Sequence, residues 1–200
     1  YYKHYRISRE KLDIEIGDCW MKAEDDNANL IHLHVQTGDI DLDADMNRIV
    51  PAFRSETGKT IFGNGMKWGA WDVVQPSATM EGDITIKGKR RHIKGKAYVD
   101  HAYGNELFGV HHWYWTTVDI GPYMFVGSAN YTADKYKLGK ERDRLIAFMV
   151  AKDGVIIGKD PENIQFIPGP KEYVPEMRRH VARKLKYRYT DGSREYELAL

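Results

Sequence analysis

The chain of 200 residues holds a single cysteine, Cys19, so it can form neither an intrachain disulfide nor a multi-cysteine metal site. Cys19 lies in an apolar strand pattern and reads as a small core residue. There is no surplus of charge of one sign. Lys and Arg number 30 against 29 Asp and Glu, a net +1 with no long like-charge run. That balance excludes the basic field that nucleic acid needs, and no nucleic-acid partner is expected. No apolar run reaches the roughly 20 residues of a transmembrane helix, and no signal peptide is legible. The chain starts at Tyr1 rather than Met, so removal of a leader or a larger N-terminal part is expected, and both cytoplasmic and secreted or periplasmic locations stay open. Also missing are a Gly-rich phosphate loop followed by a helix, zinc-ligand spacing and a serine nucleophile elbow. Neither a nucleotide nor any other cofactor is therefore expected.

What is plentiful is aromatic: 13 Tyr and 5 Trp, suited to sheets with aromatic-lined interiors. Short alternating runs dominate. Lys11 to Lys22 alternates, with Leu12, Ile14 and Ile16 on one face. Leu30 to Thr37 is a strand, Gly38-Asp39 turns it, and Ile40 onward pairs back in hairpin spacing. Pro51 to Lys67 reads as an irregular glycine-rich loop or lid. Met80 to Lys87 and Arg90 to Asp100 form a predicted hairpin about Gly88-Lys89. His111 to Val118 is an aromatic strand with Trp113 and Trp115 on one face. Asp134 to Asp143 is a charged connection. Asp153-Gly154 and Asp191-Gly192 mark two further hairpins. The lone helix candidate is Pro175 to Lys184. Many short strands with frequent turn signals predict an all-β barrel or sandwich closing around a cavity.

Two patterns bear on chemistry. His32-Leu33-His34 sends both imidazoles to one strand face, the spacing of β-sheet metal sites. No third ligand matches, because Asp39 and Asp41 follow across a predicted turn; a solvent-facing strand edge is expected, and no metal. The second pattern is Gly95-Lys96-Ala97-Tyr98-Val99-Asp100-His101-Ala102-Tyr103-Gly104-Asn105. On a strand, Tyr98 and Asp100 share one face and Val99 and His101 the other. The bland alternative is an ordinary strand end with an Asp-His hydrogen bond. The sharper one is acid–base work. An acid in an apolar, aromatic-lined pocket stays protonated near neutrality and can protonate an alkene, and facing aromatic rings stabilise the resulting cation. Tyr98 could orient Asp100 or relay its proton. Asp72, after Trp71, is either an accessory carboxylate or a surface residue.

Trp71 to Pro76, Gly82 within Met80 to Thr85, and above all the Tyr98-x-Asp100-His101-x-Tyr103-Gly104 string resemble the AttH/carotenoid 1,2-hydratase (hydroxyneurosporene synthase) family. Trp113-Tyr114-Trp115 and Gly121-Pro122-Tyr123 resemble its branch of fungal Diels–Alderases and kievitone-hydratase-like proteins. The similarity covers roughly Asp39 to Asp153. The family has Trp where this chain has Tyr103, and its upstream His-x-Trp has no clean match here. The resemblance implies two consecutive lipocalin-like (calycin) antiparallel β-barrel or sandwich domains, 1–105 and 106–200, the first incomplete at its N-terminus. It implies no cofactor and a hydrophobic isoprenoid or polyene substrate, which is protonated for hydration or cyclisation. In a pericyclase it would instead be folded into a reactive conformer. Asp100 and Tyr98 take the catalytic positions, and Trp71, His101, Trp113, Trp115 and Tyr123 are the substrate-binding candidates. A carrier of an apolar ligand that does no chemistry is the competing expectation.

Overall fold

The protein, seen in a computed structural model, is described over residues 4–63, 65–106, 110–136 and 144–200. Residues 137–143 of the charged connection lie outside that range. Eight strands form the first sheet: β1 (Tyr5–Ile7), β2 (Asp13–Ile16), β3 (Cys19–Ala23), β4 (Leu30–Thr37), β5 (Ile40–Arg48), β6 (Phe53–Phe62), β7 (Lys67–Ile86) and β8 (Lys89–Gly104). The second sheet holds β9 (Val110–Ile120), β10 (Tyr123–Thr132), β11 (Arg144–Lys152) and β12 (Val155–Gly158). There follow β13 (Ile164–Pro168), the hairpin β14 (Lys171–Val174) and β15 (Arg179–Ala182), then β16 (Leu185–Asp191) and β17 (Arg194–Ala199). The last two join β13 in a third sheet. Strand pairing is antiparallel throughout, as in the expected all-β lipocalin-like class. Among the described residues, no helix is long and apolar enough to cross a membrane.

Strand β7 organises the first sheet. Its second half pairs with β5 and its first half with β6, while β8 runs alongside both halves. The change of partner coincides with register shifts between Val73 and Gln75 and between Gln75 and Ala78. Pro76, which has no N–H to give a ladder, sits in the second of these. Gln75 is wholly buried at the bend and donates through Nε2 to the carbonyls of Ala28 (3.0 Å) and Met46 (3.2 Å), tying the bend to β5 and to the loop before β4.

The two faces of the second sheet bury different cores. Odd-numbered residues of β10, with Phe148 and Val150, pack on β13 and β16 through Phe166, Tyr187 and Tyr189. Met124, Val126, Met149 and Ala151 face the other way and meet Val50, Phe53 and Val73 of the first half. A third core, around Ile31, Met46 and Ala78, lies under the first sheet.

Several local expectations are corrected. The stretch read as a loop over Pro51 to Lys67 contains β6, whose alternation is broken by a bulge between Arg54 and Lys59, with Gly58 at φ 76°. The run over Lys11 to Lys22 is two strands, because Gly17 takes φ 61° and turns Ile16 onto Cys19. The β7–β8 turn is Lys87-Gly88, at φ 50° and 75°, not Gly88-Lys89. The helix candidate after Pro175 is a tight turn followed by β15. Pairing of Arg179–Ala182 with Lys171–Val174 outweighs a short segment that has no apolar helical face.

Candidate active-site cleft

Five strands contribute residues two apart to one open cleft of about 280 Å³: Thr60 and Phe62, Gly69 and Trp71, Asp100 and Ala102, Trp113 and Trp115, Ser128 and Asn130. The spacing follows from strand alternation, since i and i+2 share a face. The cleft lies where β6, β7 and β8 of the first sheet face β9 and β10 of the second.

Asp100 sits in its wall. Trp71 Nε1–H donates to Asp100 Oδ2 at 2.7 Å, and the Tyr98 hydroxyl donates to the same oxygen at 3.0 Å. Two neutral donors thus hold one carboxyl oxygen, and Oδ1 accepts no bond among the described residues. The Tyr98 ring meets Trp115 edge-on, with centroids 5.4 Å apart. Burial pushes the Tyr98 phenol well above the usual tyrosine range, and the charge of Asp100 and its hydrogen bond push it further. Because this pKa is raised in the folded chain, the stability it supplies is full below the unfolded value of about 10 and is lost as pH rises beyond it. Denaturation midpoints measured against pH should therefore fall above about pH 10, and Tyr98→Phe should make that fall shallower.

The structure departs from the sequence expectations at Asp100, His101 and Tyr123. Asp100 is exposed, because the cleft is open, so the expected apolar enclosure of the acid is absent. Two of the cations that could pair with it are engaged elsewhere: Lys96 binds Asp119 (2.6 Å) and Arg90 binds Asp83 (2.9 Å). His101 lies on the opposite face of β8, exposed and stacked on Tyr103 at 5.1 Å, and does not reach the cleft. Tyr123 lines a separate cavity of about 400 Å³ with Phe125, Tyr187 and Tyr196, on the far side of the second sheet. Asp72 points away from Trp71's face and lies near Tyr103, whose phenol is pushed up by burial and then by the Asp72 charge.

Trp113 and Trp115 are 62% and 45% exposed, so they are cleft walls rather than core. Sequence reasoning missed Phe62 and Thr60, which fall in the stretch read as a loop. It also missed Ser128, whose hydroxyl donates to Asn130 Oδ1 (3.1 Å). The one available signal was the period-two pairing of Thr60 with Phe62 just before Gly63.

The end of the Tyr-x-Asp-His-x-Tyr-Gly string is structural. A Cβ on Gly104 would stand 2.5 Å from the Trp68 carbonyl oxygen. Asn105 accepts from Trp68 N through Oδ1 (2.9 Å) and donates through Nδ2 to Met66 O (3.0 Å). Together they clamp β8 to the start of β7, which carries Trp71. Gly104→Ala should lower stability by about 1–3 kcal/mol in denaturant melts.

No protein-family model matches the chain, and no curated protein matches it by sequence. Solved structures do match. A candidate AttH from Nitrosomonas europaea superposes with a TM-score of 0.64 at 15% identity, over 93% of this chain and 57% of that one. Kievitone hydratase from Nectria haematococca gives 0.55 at 17% identity, over 94% and 57%. CghA, solved with Sch210972, gives 0.61 at 9% identity, over 94% and 55%. The chain thus shares their fold and spans a little over half the length of each.

Proposed function

We propose that this chain carries the substrate cleft of a cofactor-independent enzyme that protonates a carbon–carbon double bond of a hydrophobic isoprenoid or polyene, for hydration or cyclisation. The observation that carries this reading is the convergence of Trp71 and Tyr98 on one oxygen of Asp100 in a tryptophan-lined cleft. In the proposed step, the proton on Asp100 Oδ1 passes to an alkene carbon and leaves a tertiary carbocation. The negative charge that develops on the carboxyl group is met by donors already in place, which is where preorganised hydrogen bonds help most. The faces of Trp71, Trp113 and Trp115 stabilise the cation. Water then adds to the cation and returns a proton to Asp100, or a second double bond of the substrate closes a ring and the cyclic cation so formed loses a proton to the Asp100 carboxylate. Tyr98 and Trp71 are positioning residues. We place two domains here, 1–105 and 106–200, with the cleft formed by strands of both. One structural neighbour is by name a hydratase, and another was solved with a small molecule, Sch210972.

The exposure of Asp100 favours a second reading, in which the cleft binds or folds an apolar ligand without proton transfer. Incubation with linear polyenes and prenylated phenols, followed by mass spectrometry, separates the two. Gain of one water, or an isomeric cyclic product whose formation needs Asp100, supports the acid. Cyclisation indifferent to Asp100, or ligand recovered unchanged, supports folding or carriage.

A further inference from the structure

The cleft leaves the His32-Leu33-His34 pair unused. These imidazoles lie on the face of β4 opposite Ile31 and Leu33, at the far end of the first sheet from Asp100. His92 on β8 marks that end and lies roughly 25 Å from Asp100 along the strand at about 3.3 Å per residue. The β4–β5 hairpin sets His34 directly opposite Asp43 and His32 opposite Asp45. The next pairing sets Asp43 opposite Asp83 and Asp45 opposite Glu81. Directly opposed like charges destabilise a sheet, so each carboxylate needs a cation or a hydrogen-bond partner. Most have one. Arg90 serves Asp83 (2.9 Å), Lys94 serves Glu81 (2.9 Å), His32 serves Asp45 (2.6 Å) and His34 serves Asp43 (2.8 Å).

Asp41 is the exception. Its Oδ1 is buried without a hydrogen-bond partner, and no ion pair reaches it among the described residues. Arg90 feels the charge of Asp41 and Asp43, but its guanidinium donates to Asp83. A buried carboxylate oxygen left unmet is costly. One ligand atom from each of His34, Asp41 and Asp43 lies within 4.8 Å of the others. Trp20 stacks on the His34 ring, with centroids 5.7 Å apart and planes 21° from parallel, which fixes the ring's orientation toward β5.

We propose that His34, Asp41 and Asp43 form a divalent-cation site for Zn²⁺. One imidazole and two carboxylates suit a borderline transition metal better than Mg²⁺ or Ca²⁺, which prefer oxygen alone. Ligands about 2.0–2.2 Å from a tetrahedral Zn²⁺ stand about 3.3 Å apart, so the His34–Asp43 contact opens slightly and Asp41 closes in. Water takes the fourth position. The ion supplies the charge that Asp41 lacks and pins β4 to β5. Asp41 was set aside in the sequence because it follows across the turn, yet that turn is the hairpin that folds β5 back beside His34.

The test is calorimetric titration of the chelator-stripped full chain with ZnCl₂ near neutral pH, with MgCl₂ as control. We expect one Zn²⁺ per chain with a Kd below about 100 µM, no comparable Mg²⁺ binding and a higher Tm with zinc present. His34→Gln and Asp41→Asn should each weaken Zn²⁺ at least about tenfold, while His180→Gln, at an exposed histidine on β15, should leave it unchanged. Asp41→Asn keeps the size of the side chain and leaves the Trp20–His34 stack in place, so a folding defect cannot imitate the effect. Absence of saturable binding, or binding that Asp41→Asn and His34→Gln leave at the wild-type value, overturns the site.

Discussion

Asp100→Asn is expected to reduce turnover by about 10²–10⁴-fold, the usual share of a positioned general acid. Ligand affinity should stay within a few-fold of wild type. The amide keeps the shape of the carboxyl group and can still accept the Trp71 and Tyr98 hydrogen bonds through its oxygen. What it loses is the transferable proton and the charge those donors meet. Turnover should therefore fall in kcat with KM little changed, the pattern of an interaction used only in the transition state. Tyr98→Phe should act in the same direction but more weakly, since one of the two donors remains. Unaltered rates in the asparagine variant would remove Asp100 from the chemistry. Trp113→Ala would then be the informative change, because a cleft that works by folding its ligand should shift product stereochemistry when that wall shrinks.

Phe148→Ala should be among the most damaging single changes to stability, at about 3–5 kcal/mol. Phe148 is fully buried on the face of β11 that packs against the third sheet. Its ring leans on Tyr189 with centroids 5.4 Å apart, and Gly127 leaves room beside it. Truncation leaves a cavity between sheets that both twist and cannot close up. The loss is a large fraction of the roughly 5–15 kcal/mol that holds a domain folded. Urea unfolding should show a lower midpoint with an unchanged slope. Met149 next to it faces the opposite core, so the cleft residues of wild-type and variant should bind alike under conditions where both are folded. Phe148→Leu, which refills most of the volume, should cost markedly less.

Strand alternation made much of this arrangement legible. The shared face of Tyr98 and Asp100 follows from residue parity, as does that of Trp113 and Trp115, and the all-β class follows from the density of short runs and turns. Parity cannot say which strands face each other across a gap. His101 was set on the far face of β8 by that same parity, yet Tyr123 was grouped with the cleft although residues 124, 126 and 128 of β10 are the ones turned that way. The bulge in β6 concealed Phe62, since an inserted stretch breaks the period on which strand recognition depends. The openness of the cleft, and with it the exposure of Asp100, depends on how two sheets pack, which no local pattern encodes. The β4–β5 hairpin was legible, but the register that sets Asp43 opposite His34 was not read from it.

The most direct test of Asp100 as an acid is to run the reaction in heavy water with whichever alkene substrate is converted. If the carboxyl proton is delivered to carbon, the product carries one deuteron at the former double bond, and Asp100→Asn forms that labelled product at a rate lower by the same factor as turnover. Product formed at full rate without solvent deuterium would contradict the account and leave the cleft as a site that folds or carries its ligand.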